Sequence, residues 1–305
     1  MKRVVVVGSF VMDLVVWADR RPVKGESILG DDFAMFPGGK GANQAVAAAR
    51  LGADVAMIGR LGQDAFGDMF LQVLSEERIN SEYVVRDSSE GTGVGTPVID
   101  SDGDNSIIMI PRANKRLSIE DINKASKALE QCDVLLLQLE VPVEASIRAA
   151  EIAHKAHAKV ILDPAPARNI PEELFPLIDI IMPNEVEFQM LTGNSADTLE
   201  SVKKGAGILM DKGIEVIIVT VGPRGAFVVE EGHARQVPAW PVDKVVDTTG
   251  AGDAFAGAFA VALAGGMDIS DSVDLAVKAG AYSVTKAGAI PSMPSLSDLG
   301  IRDNI

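Results

Sequence analysis

The sequence predicts an α/β fold with a mainly parallel sheet between two layers of helices. Short runs of aliphatic and β-branched residues alternate with longer stretches of helical character. The short runs are continuously apolar, which is typical of strands buried on both faces of a parallel sheet. The chain has 305 residues, 47% of them hydrophobic, enough to bury a large core in one folding unit.

The predicted strands are the runs in which Val, Ile and Leu follow one another almost without polar interruption. They cover Arg3–Val7, Val55–Ile58, Val134–Leu137, Val160–Leu162, Ile178–Met182, Val216–Val221 and Ala226–Val229. The predicted helices are the longer stretches, one of which starts with the capping signal of Ser118 and Asp121. They cover Ala42–Leu51, Ala65–Glu77, Ile119–Leu129, Val143–Lys155, Leu199–Asp211 and Ala254–Ala264.

Four extended segments break this alternation. Residues 11–17 follow the first strand with no room for a crossover helix, and residues 28–36 follow them closely. Residues 93–99 and 106–110 flank an Asp- and Gly-rich stretch that is typical of a hairpin turn. We expect these segments, about 11–36 and 92–111, to form a small separate sheet that covers the active site as a lid. No long linker is evident, so residues 1–305 are predicted to be one domain.

Composition and charge exclude several classes of protein. The formal net charge of −15 would repel nucleic acid and anionic membranes, so neither is expected as a partner. The single cysteine, Cys132, excludes an internal disulfide and lies beside an apolar run, which favours a buried thiol. The N-terminal apolar run is too short for a signal peptide or a membrane span. We therefore expect a cytoplasmic enzyme.

The most informative segment is Asp247-Thr-Thr-Gly-Ala-Gly-Asp253, followed by a small apolar helix. A turn of Gly250, Ala251 and Gly252 at a helix N-terminus leaves N–H groups free, and the helix dipole adds to their attraction for an anion. An acid at this place competes with the anion unless it takes part in the chemistry. Asp253 is therefore predicted to accept a proton from a substrate hydroxyl during phosphoryl transfer. The alternative is that Asp253 only caps its helix.

A second glycine-rich segment, Pro37-Gly-Gly-Lys-Gly-Ala-Asn-Gln-Ala45, exposes backbone to a ligand. Asn43 can donate and accept hydrogen bonds, which suits vicinal hydroxyls. The plainer interpretation is a strand-to-helix turn. The segment is not a phosphate-binding loop of the Walker type, because Lys40 is followed by Gly. No dinucleotide-binding glycine motif follows the first strand, which argues against a dehydrogenase.

Polar groups also follow successive predicted strands, at the edge where open α/β sheets bind ligands. Glu140 follows Val134–Leu137, and Asn184 and Glu187 follow Ile178–Met182, where together they could orient a magnesium shell. The turn of residues 220–225 could hold a nucleotide. Asp13 lies in an apolar run, and buried carboxylates need partners such as sugar hydroxyls.

Both glycine-rich segments resemble the signatures of the ribokinase family of sugar kinases, the phosphofructokinase-B type, and the resemblance covers essentially the whole chain. Within this family the chain is similar to ribokinase and deoxyribokinase members through Gly39–Gln44, Gln138-Leu-Glu140 and Ala113-Asn114. The resemblance implies a ribokinase-like three-layer α/β/α sandwich with a β lid that often forms a homodimer clasp. It also implies transfer of phosphate from ATP to the terminal hydroxyl of a pentose, with Mg²⁺ and activation by K⁺.

Carried over position by position, the resemblance implies a role for each group of residues. The catalytic set is Asp253 as base with Gly250, Ala251 and Gly252 as anion hole. The sugar-binding set is Val11, Met12, Asp13, Gly39, Lys40, Gly41, Ala42, Asn43, Glu140 and Asp253. The nucleotide-binding set is Asn184, Thr220, Val221, Gly222, Pro223, Arg224, Gly225, Gly252 and Val277. Asn184 and Glu187 lie near magnesium, and the potassium set is Asp247, Thr249, Ser283, Lys286, Gly288 and Ser292.

Two positions depart from the family pattern. Val11 stands where many ribokinases have an Asn that contacts the sugar, and Val277 stands where an Asn often lies near the adenine. A sugar hydroxyl left unpaired at Val11 would cost about 1–3 kcal/mol, enough to change the preferred sugar. We therefore expect a D-ribose kinase first, with kinases for 2-deoxyribose, another sugar or a nucleoside as alternatives. A non-catalytic sugar-binding protein is a further alternative.

Overall fold

The computed structural model describes residues 2–102 and 104–301. Its strands are, in chain order, β1 (Arg3–Val7), β2 (Val11–Trp17), β3 (Asp32–Gly38), β4 (Asp54–Gly62), β5 (Val84–Asp87), β6 (Gly93–Ile99), β7 (Asn105–Ile110), β8 (Val134–Leu137), β9 (Lys159–Leu162), β10 (Ile180–Ile181), β11 (Val216–Thr220), β12 (Ala226–Glu230) and β13 (His233–Val237). Its α-helices are α1 (Lys40–Arg50), α2 (Ala65–Glu76), α3 (Ile119–Lys124), α4 (Ser126–Gln131), α5 (Val143–Lys155), α6 (Glu185–Thr192), α7 (Leu199–Met210), α8 (Ala251–Ala264), α9 (Ile269–Ser283) and α10 (Ala289–Ser292).

The main sheet has the strand order β13-β12-β11-β10-β9-β8-β1-β4-β5. The strands from β11 to β5 pair in parallel, while β12 and β13 extend the sheet as an antiparallel hairpin at one edge. The carboxyl ends of β1, β8, β9, β10 and β11 therefore lie side by side. The predicted α/β class with a mainly parallel sheet is confirmed.

Helices cover both faces of this sheet, because successive side chains of its central strands point to opposite faces and all are apolar. In β1, Val4 and Val6 pack into one core cluster with α1 and α8, and Val5 and Val7 pack into the other with α5. The result is the predicted three-layer arrangement. No helix in the described ranges is long and apolar enough to cross a membrane.

A second sheet has the order β3-β2-β6-β7 and contains the four extended segments that interrupt the predicted alternation. Strands β2 and β6 pair in parallel, and the other two pairs are antiparallel. The second extended segment, β3, begins at Asp32 and not at residue 28. The predicted turn at 100–105 includes Gly103, which lies outside the described residues.

Some predicted boundaries are wrong for local reasons. The stretch 119–129 is two helices separated at Ala125, not one. The predicted strand 178–182 shrinks to two residues because a 3₁₀ turn over Phe175–Leu177 precedes it and Pro183 follows it. The sequence prediction also lacked α9, whose interior Gly280 and several serines weaken its helical pattern. Asp268 caps this helix by accepting a hydrogen bond from the amide of Asp271.

Candidate active site

The two glycine-rich motifs meet at the carboxyl group of Asp253, although they lie about two hundred residues apart. Asp253 is in the first turn of α8 and is 4% exposed. Asn43 Nδ2 donates to Oδ2 of Asp253 at 2.8 Å, and Gln44 Nε2 donates to Oδ1 at 3.1 Å. Lys40 Nζ lies 3.7 Å from the same Oδ1. Helices α1 and α8 therefore build one polar site from both motifs.

The turn before α8 has the geometry of an anion hole. Gly250 is the N-cap residue with φ of 80°, a left-handed conformation that favours glycine. In the described part of the chain, the amides of Gly252 and Asp253 have no hydrogen-bond acceptor. A Cβ on Gly252 would meet nothing within 4 Å, and Gly252 lines two neighbouring cavities, so the turn is open to a ligand. Free N–H groups and the positive end of α8 favour an anion here.

The first motif comes close to the start of β2, which explains one of its glycines. Gly39 precedes α1 with φ of 87°, and a Cβ on it would lie 2.6 Å from the backbone nitrogen of Val11. This close approach places the amide of Lys40 3.0 Å from the carboxylate of Glu140, to which Ser9 Oγ also donates a hydrogen bond. Glu140 follows β8, so the edge of the main sheet and the second sheet meet at this point.

Asp13 in β2 provides a second carboxylate on this side of the site. The glycines Gly38 and Gly95, on the strands to either side of β2, leave room for its two oxygens. Within the described residues no hydrogen bond reaches this side chain, which is therefore available to a ligand. Burial raises the pKa of Asp13 to about 6, and the nearby charge of Glu140 adds to the rise.

The neighbours of Asp13 in the predicted sugar set divide into two groups. Val11 lies on the same face of β2 as Asp13, because side chains two apart share a face, and it is buried. Met12 points the other way and packs in the core, as does Ala42 of α1. Their side chains therefore support the site without facing it. Asn43 does face it, and its buried Oδ1 has no partner among the described residues.

An apolar cleft of roughly 520 Å³ extends from the anion hole along the other side of α8. Six of the predicted nucleotide residues line it: Thr220, Gly222, Pro223, Gly225, Gly252 and Val277. Two others turn away. Val221 is buried in the core, and the guanidinium of Arg224 donates to the carbonyl groups of Ala196 and Asp197.

Trp240 also lines this cleft and was not predicted from the sequence. The residue is 52% exposed, and Lys278 Nζ lies 4.7 Å from the ring centre in a cation–π contact. The sequence gives little signal for Trp240, because its neighbours Pro238, Ala239, Pro241 and Val242 are also apolar. A half-exposed tryptophan at the rim of an apolar cleft is suited to stack on a planar ring.

A smaller cavity of roughly 60 Å³ connects the anion hole with the predicted magnesium residues. Asn184 and Glu187 line it and also form a reciprocal capping box at the start of α6. Oε2 of Glu187 accepts from the amide of Asn184 at 2.8 Å, which leaves the other oxygen of this buried carboxylate to face the cavity. Carboxylate oxygens are preferred Mg²⁺ ligands, so the donor set fits an indirectly held magnesium ion.

The predicted potassium residues come together beside the anion hole. Asp247 joins two loops, since its oxygens accept from the amides of Thr249 at 2.9 Å and Gly288 at 2.8 Å. The hydroxyls of Ser283 and Ser292 donate to carbonyl groups of their own helices. Lys286 Nζ lies over the ring of Tyr282, so only its backbone could face an ion. These loops fit a site made largely of backbone carbonyl groups.

Asp163 is the main site residue that the sequence prediction missed. It directly follows β9, is 7% exposed, and its Oδ2 accepts from Gln44 Nε2 at 2.8 Å. Lys40 Nζ lies 3.4 Å from the same oxygen. Burial raises the pKa of Asp163 to about 7; Lys40 opposes the rise, and the charges of Asp253 and Glu187 add to it. The signal was available, because Asp163 ends a strand just as Glu140 and Asn184 do.

In the described ranges of the chain, Lys40 is the one cation that lies among these carboxylates. Burial lowers its pKa, but the charges of Asp163, Asp253, Glu140 and Glu187 outweigh this effect, so the pKa is raised and the ammonium group stays charged. The side chain also lines the small cavity with Asn184 and Glu187. Lys40 thus lies between the predicted sugar and nucleotide sides and does not belong to the sugar side alone.

Comparisons with known proteins place this arrangement in a family. The model of the pfkB family carbohydrate kinases matches residues 1–296. The chain belongs to this family. It is an ATP-dependent carbohydrate kinase, and the family expected from the two glycine-rich motifs is confirmed.

Individual relatives agree with this assignment. The chain is 39% identical over 294 residues to a ribokinase of Haemophilus influenzae and, with the same figures, to a deoxyribokinase of Salmonella typhi, covering 96% of each chain. Among solved structures it is similar to a ribokinase of Arabidopsis thaliana in complex with ribose and ATP. That similarity has a TM-score of 0.92 at 35% identity and covers 98% of both chains. The ribokinase-like fold is confirmed.

Proposed function

We propose that this protein transfers the γ-phosphoryl group of ATP to the terminal hydroxyl of a pentose, with D-ribose as the first candidate acceptor. The observation that carries the proposal is the place of Asp253, a buried carboxylate directly beside free amides at the start of α8. A base must lie next to the phosphoryl group whose transfer it assists. This turn supplies both the base, Asp253, and the amides that would bind the phosphoryl group. The relatives named ribokinase support ribose as the acceptor.

In the proposed reaction the sugar hydroxyl lies between Asp253 and the γ-phosphate. Asp253 accepts the hydroxyl proton, the sugar oxygen forms a bond to phosphorus, and the bond from phosphorus to the departing ADP oxygen breaks. The amides of Gly252 and Asp253 hold the charge that spreads over the transferred group. Exclusion of water by the second sheet would prevent hydrolysis of ATP.

We assign the sugar to the pocket of Asp13, Glu140 and Asn43, and the nucleotide to the cleft that contains Thr220 and Val277. The carboxylates accept hydrogen bonds from hydroxyl groups, while the apolar cleft suits a nucleobase. When bound near Glu187, Mg²⁺ would neutralise charge on the nucleotide phosphates.

One observation favours 2-deoxyribose as a second candidate acceptor. Val11 shares the face of β2 with Asp13 and offers no side-chain hydrogen bond. A hydroxyl facing Val11 would be unpaired, whereas a sugar that lacks this hydroxyl would lose nothing there. The deoxyribokinase relative is as similar to this chain as the ribokinase relative.

Initial rates with D-ribose, 2-deoxy-D-ribose, a hexose and a nucleoside, at fixed ATP and Mg²⁺, test the proposal. We expect sugar-dependent ADP release that is fastest with ribose. An Asp253→Asn variant should keep sugar binding and lose most of kcat, because amide oxygen is a poor proton acceptor. Normal turnover in this variant would rule out Asp253 as the base, and a faster rate with 2-deoxyribose would favour the second candidate.

We further propose that a monovalent cation binds where Asp247 joins the loops of residues 247–249 and 284–292. The motif turn is tied to these loops through the hydrogen bond from Gly288 to Asp247, so a cation there would stiffen the anion hole. K⁺ should then raise kcat relative to a choline control at the same ionic strength. Equal rates in both salts would refute the assignment.

The second sheet also supports a proposed homodimer. Its outer strands expose a row of large apolar side chains: Phe33, Met35, Ile107, Ile108, Met109 and Ile110. By strand register, Phe33, Met35, Ile108 and Ile110 share one face of this sheet. Exposed apolar side chains gathered on one small sheet are unusual on a monomer. An Ile108→Glu variant should sediment as a monomer, and an unchanged sedimentation coefficient would refute this interface.

The buried, unpaired Cys132 fits the proposed cytoplasmic location.

A further inference from the structure

Asp163 has no local structural task that explains its burial. Its amide continues the ladder between β9 and β8 by donating to the carbonyl group of Leu137. Among the residues that the structure describes, its side chain caps no helix and closes no turn, and both of its hydrogen-bond donors, Lys40 and Gln44, lie on α1. Burying a carboxylate costs free energy unless it is paired, so an apolar residue would cost less here. Its contacts therefore indicate a role in the site.

Asp163 and Asp253 share the same two donors. Gln44 Nε2 lies 2.8 Å from Asp163 and 3.1 Å from Asp253, while Lys40 Nζ lies 3.4 Å and 3.7 Å away from them. The amide of Gln44 is fixed in this orientation, because its Oε1 accepts from Gln138 Nε2 at 2.6 Å. Each donor is thus held between two carboxylates and nearer to Asp163.

This sharing determines where the ammonium group of Lys40 lies. Without Asp163, the strongest nearby attraction for Lys40 would be Asp253, and their 3.7 Å ion pair would shorten to hydrogen-bonding distance. A closer Lys40 would be a second donor to Oδ1 of Asp253, which already accepts from Gln44 Nε2, and no acceptor position would then remain on this oxygen for a hydroxyl. This shift would also withdraw the cation from the small cavity, which shares Thr220, Gly252 and Phe255 with the nucleotide cleft.

We propose that Asp163 is a positioning residue that holds Lys40 and Gln44 between itself and Asp253. Lys40 then faces the path of the transferred phosphoryl group, and Asp253 remains open to the acceptor hydroxyl. This inference rests on the proposed function, since it assigns a role within the same transfer reaction.

The test compares Asp163→Ala with Asp163→Asn. The alanine variant removes the acceptor for both donors, and we expect kcat to fall by about 10- to 100-fold, the loss that a displacement of about 1 Å produces at a reacting centre. The KM values for sugar and ATP should change much less. The asparagine variant keeps an acceptor oxygen at the same place, so it should recover most of the lost kcat.

A double-mutant cycle with Lys40→Met shows whether Asp163 acts through Lys40. If it does, Asp163→Ala lowers kcat much less in the Lys40→Met background than in the wild type. Additive losses would overturn the proposal, and so would an alanine variant with wild-type kcat or an asparagine variant as impaired as the alanine one.

Asp121→Ala is the matched control, because Asp121 is a buried, ion-paired acid in α3 away from the site. It should lower the melting temperature without a specific loss of kcat. The alanine and asparagine variants of Asp163 are compared only as folded protein, checked by thermal melts. Wild-type protein without sugar-dependent ADP release would refute the proposed function itself, whereas active wild type with unaffected Asp163 variants would refute only the positioning role.

Discussion

Adding a methyl group next to Asp13 should weaken sugar binding without touching the reacting centre. A Cβ at Gly38 would lie 2.7 Å from Oδ2 of Asp13, and one at Gly95 would lie closer still to Oδ1. An ordinary contact begins near 3.4 Å, so Gly38→Ala must displace the carboxylate by about 0.7 Å and Gly95→Ala by more. Both glycines have ordinary φ values, and the clash is with a side chain, so the strands themselves can remain intact.

The magnitude follows from the hydrogen bonds that Asp13 would lose. A hydrogen bond to a charged group contributes about 1.5–3 kcal/mol, which corresponds to a change in affinity of about 10- to 100-fold. We expect the sugar KM to rise by this factor in Gly95→Ala and by less in Gly38→Ala. The KM for ATP should stay near the wild-type value, because neither Asp13 nor the two glycines line the nucleotide cleft.

The assay is coupled ADP release at varied sugar and saturating ATP. Gly207→Ala is the matched control, since a Cβ there meets nothing within 4 Å and Ala is favoured within a helix. A wild-type sugar KM in folded Gly38→Ala and Gly95→Ala would show that Asp13 does not hold the sugar. An equal rise in the KM values for sugar and ATP would indicate general damage instead.

Two further predictions concern pH and the nucleotide. The pKa of Asp13 is raised to about 6 in the folded protein, so ionisation of this side chain destabilises the sugar-free protein as pH rises from about 4 to above 6. The Asp13→Asn variant should therefore have a higher melting temperature than the wild type at pH 7 and the same melting temperature at pH 4. The sugar needs the ionised form, so the sugar KM of wild type should fall between pH 5 and 7, and a pH-independent KM would refute this assignment. A Trp17→Phe variant leaves Trp240 as the single tryptophan, and its fluorescence should change when ATP or ADP is added; an unchanged spectrum at saturating nucleotide would exclude stacking of the base on Trp240.

The fold could be predicted because each core strand is apolar on both faces, a local property of the sequence. The main errors arose where tertiary context decides the outcome. Residues 178–182 are apolar enough for a full strand, yet Pro183 and the preceding 3₁₀ turn leave two paired residues. The helix α9 carries Gly280 and several serines, and its packing against α8 compensates for this weak helical pattern.

The predicted site contains residues of two kinds. Residues in the glycine-rich motifs could be found because their spacing is unusual in itself. The direction of each side chain could not be predicted in this way. Four residues lie within the right segments but turn into the core or toward the surface: Met12, Ala42, Val221 and Arg224. The sequence of a run such as Thr220-Val-Gly-Pro-Arg-Gly225 does not predict which of its residues face the ligand, because this depends on the path of the backbone through the turn.

The strand order explains why the missed residue belongs with those that were found. The strands β8, β9, β10 and β11 are neighbours in space, and Glu140, Asp163 and Asn184 follow the first three of them while Thr220 ends the fourth. Adjacent strands are about 4.8 Å apart, so these four ends span about 14 Å. The proposed sugar pocket lies at one end of this row and the nucleotide cleft at the other, with the phosphoryl path between them. Asp163, which follows β9, lies between these two ends, in agreement with the positioning role that we propose for it.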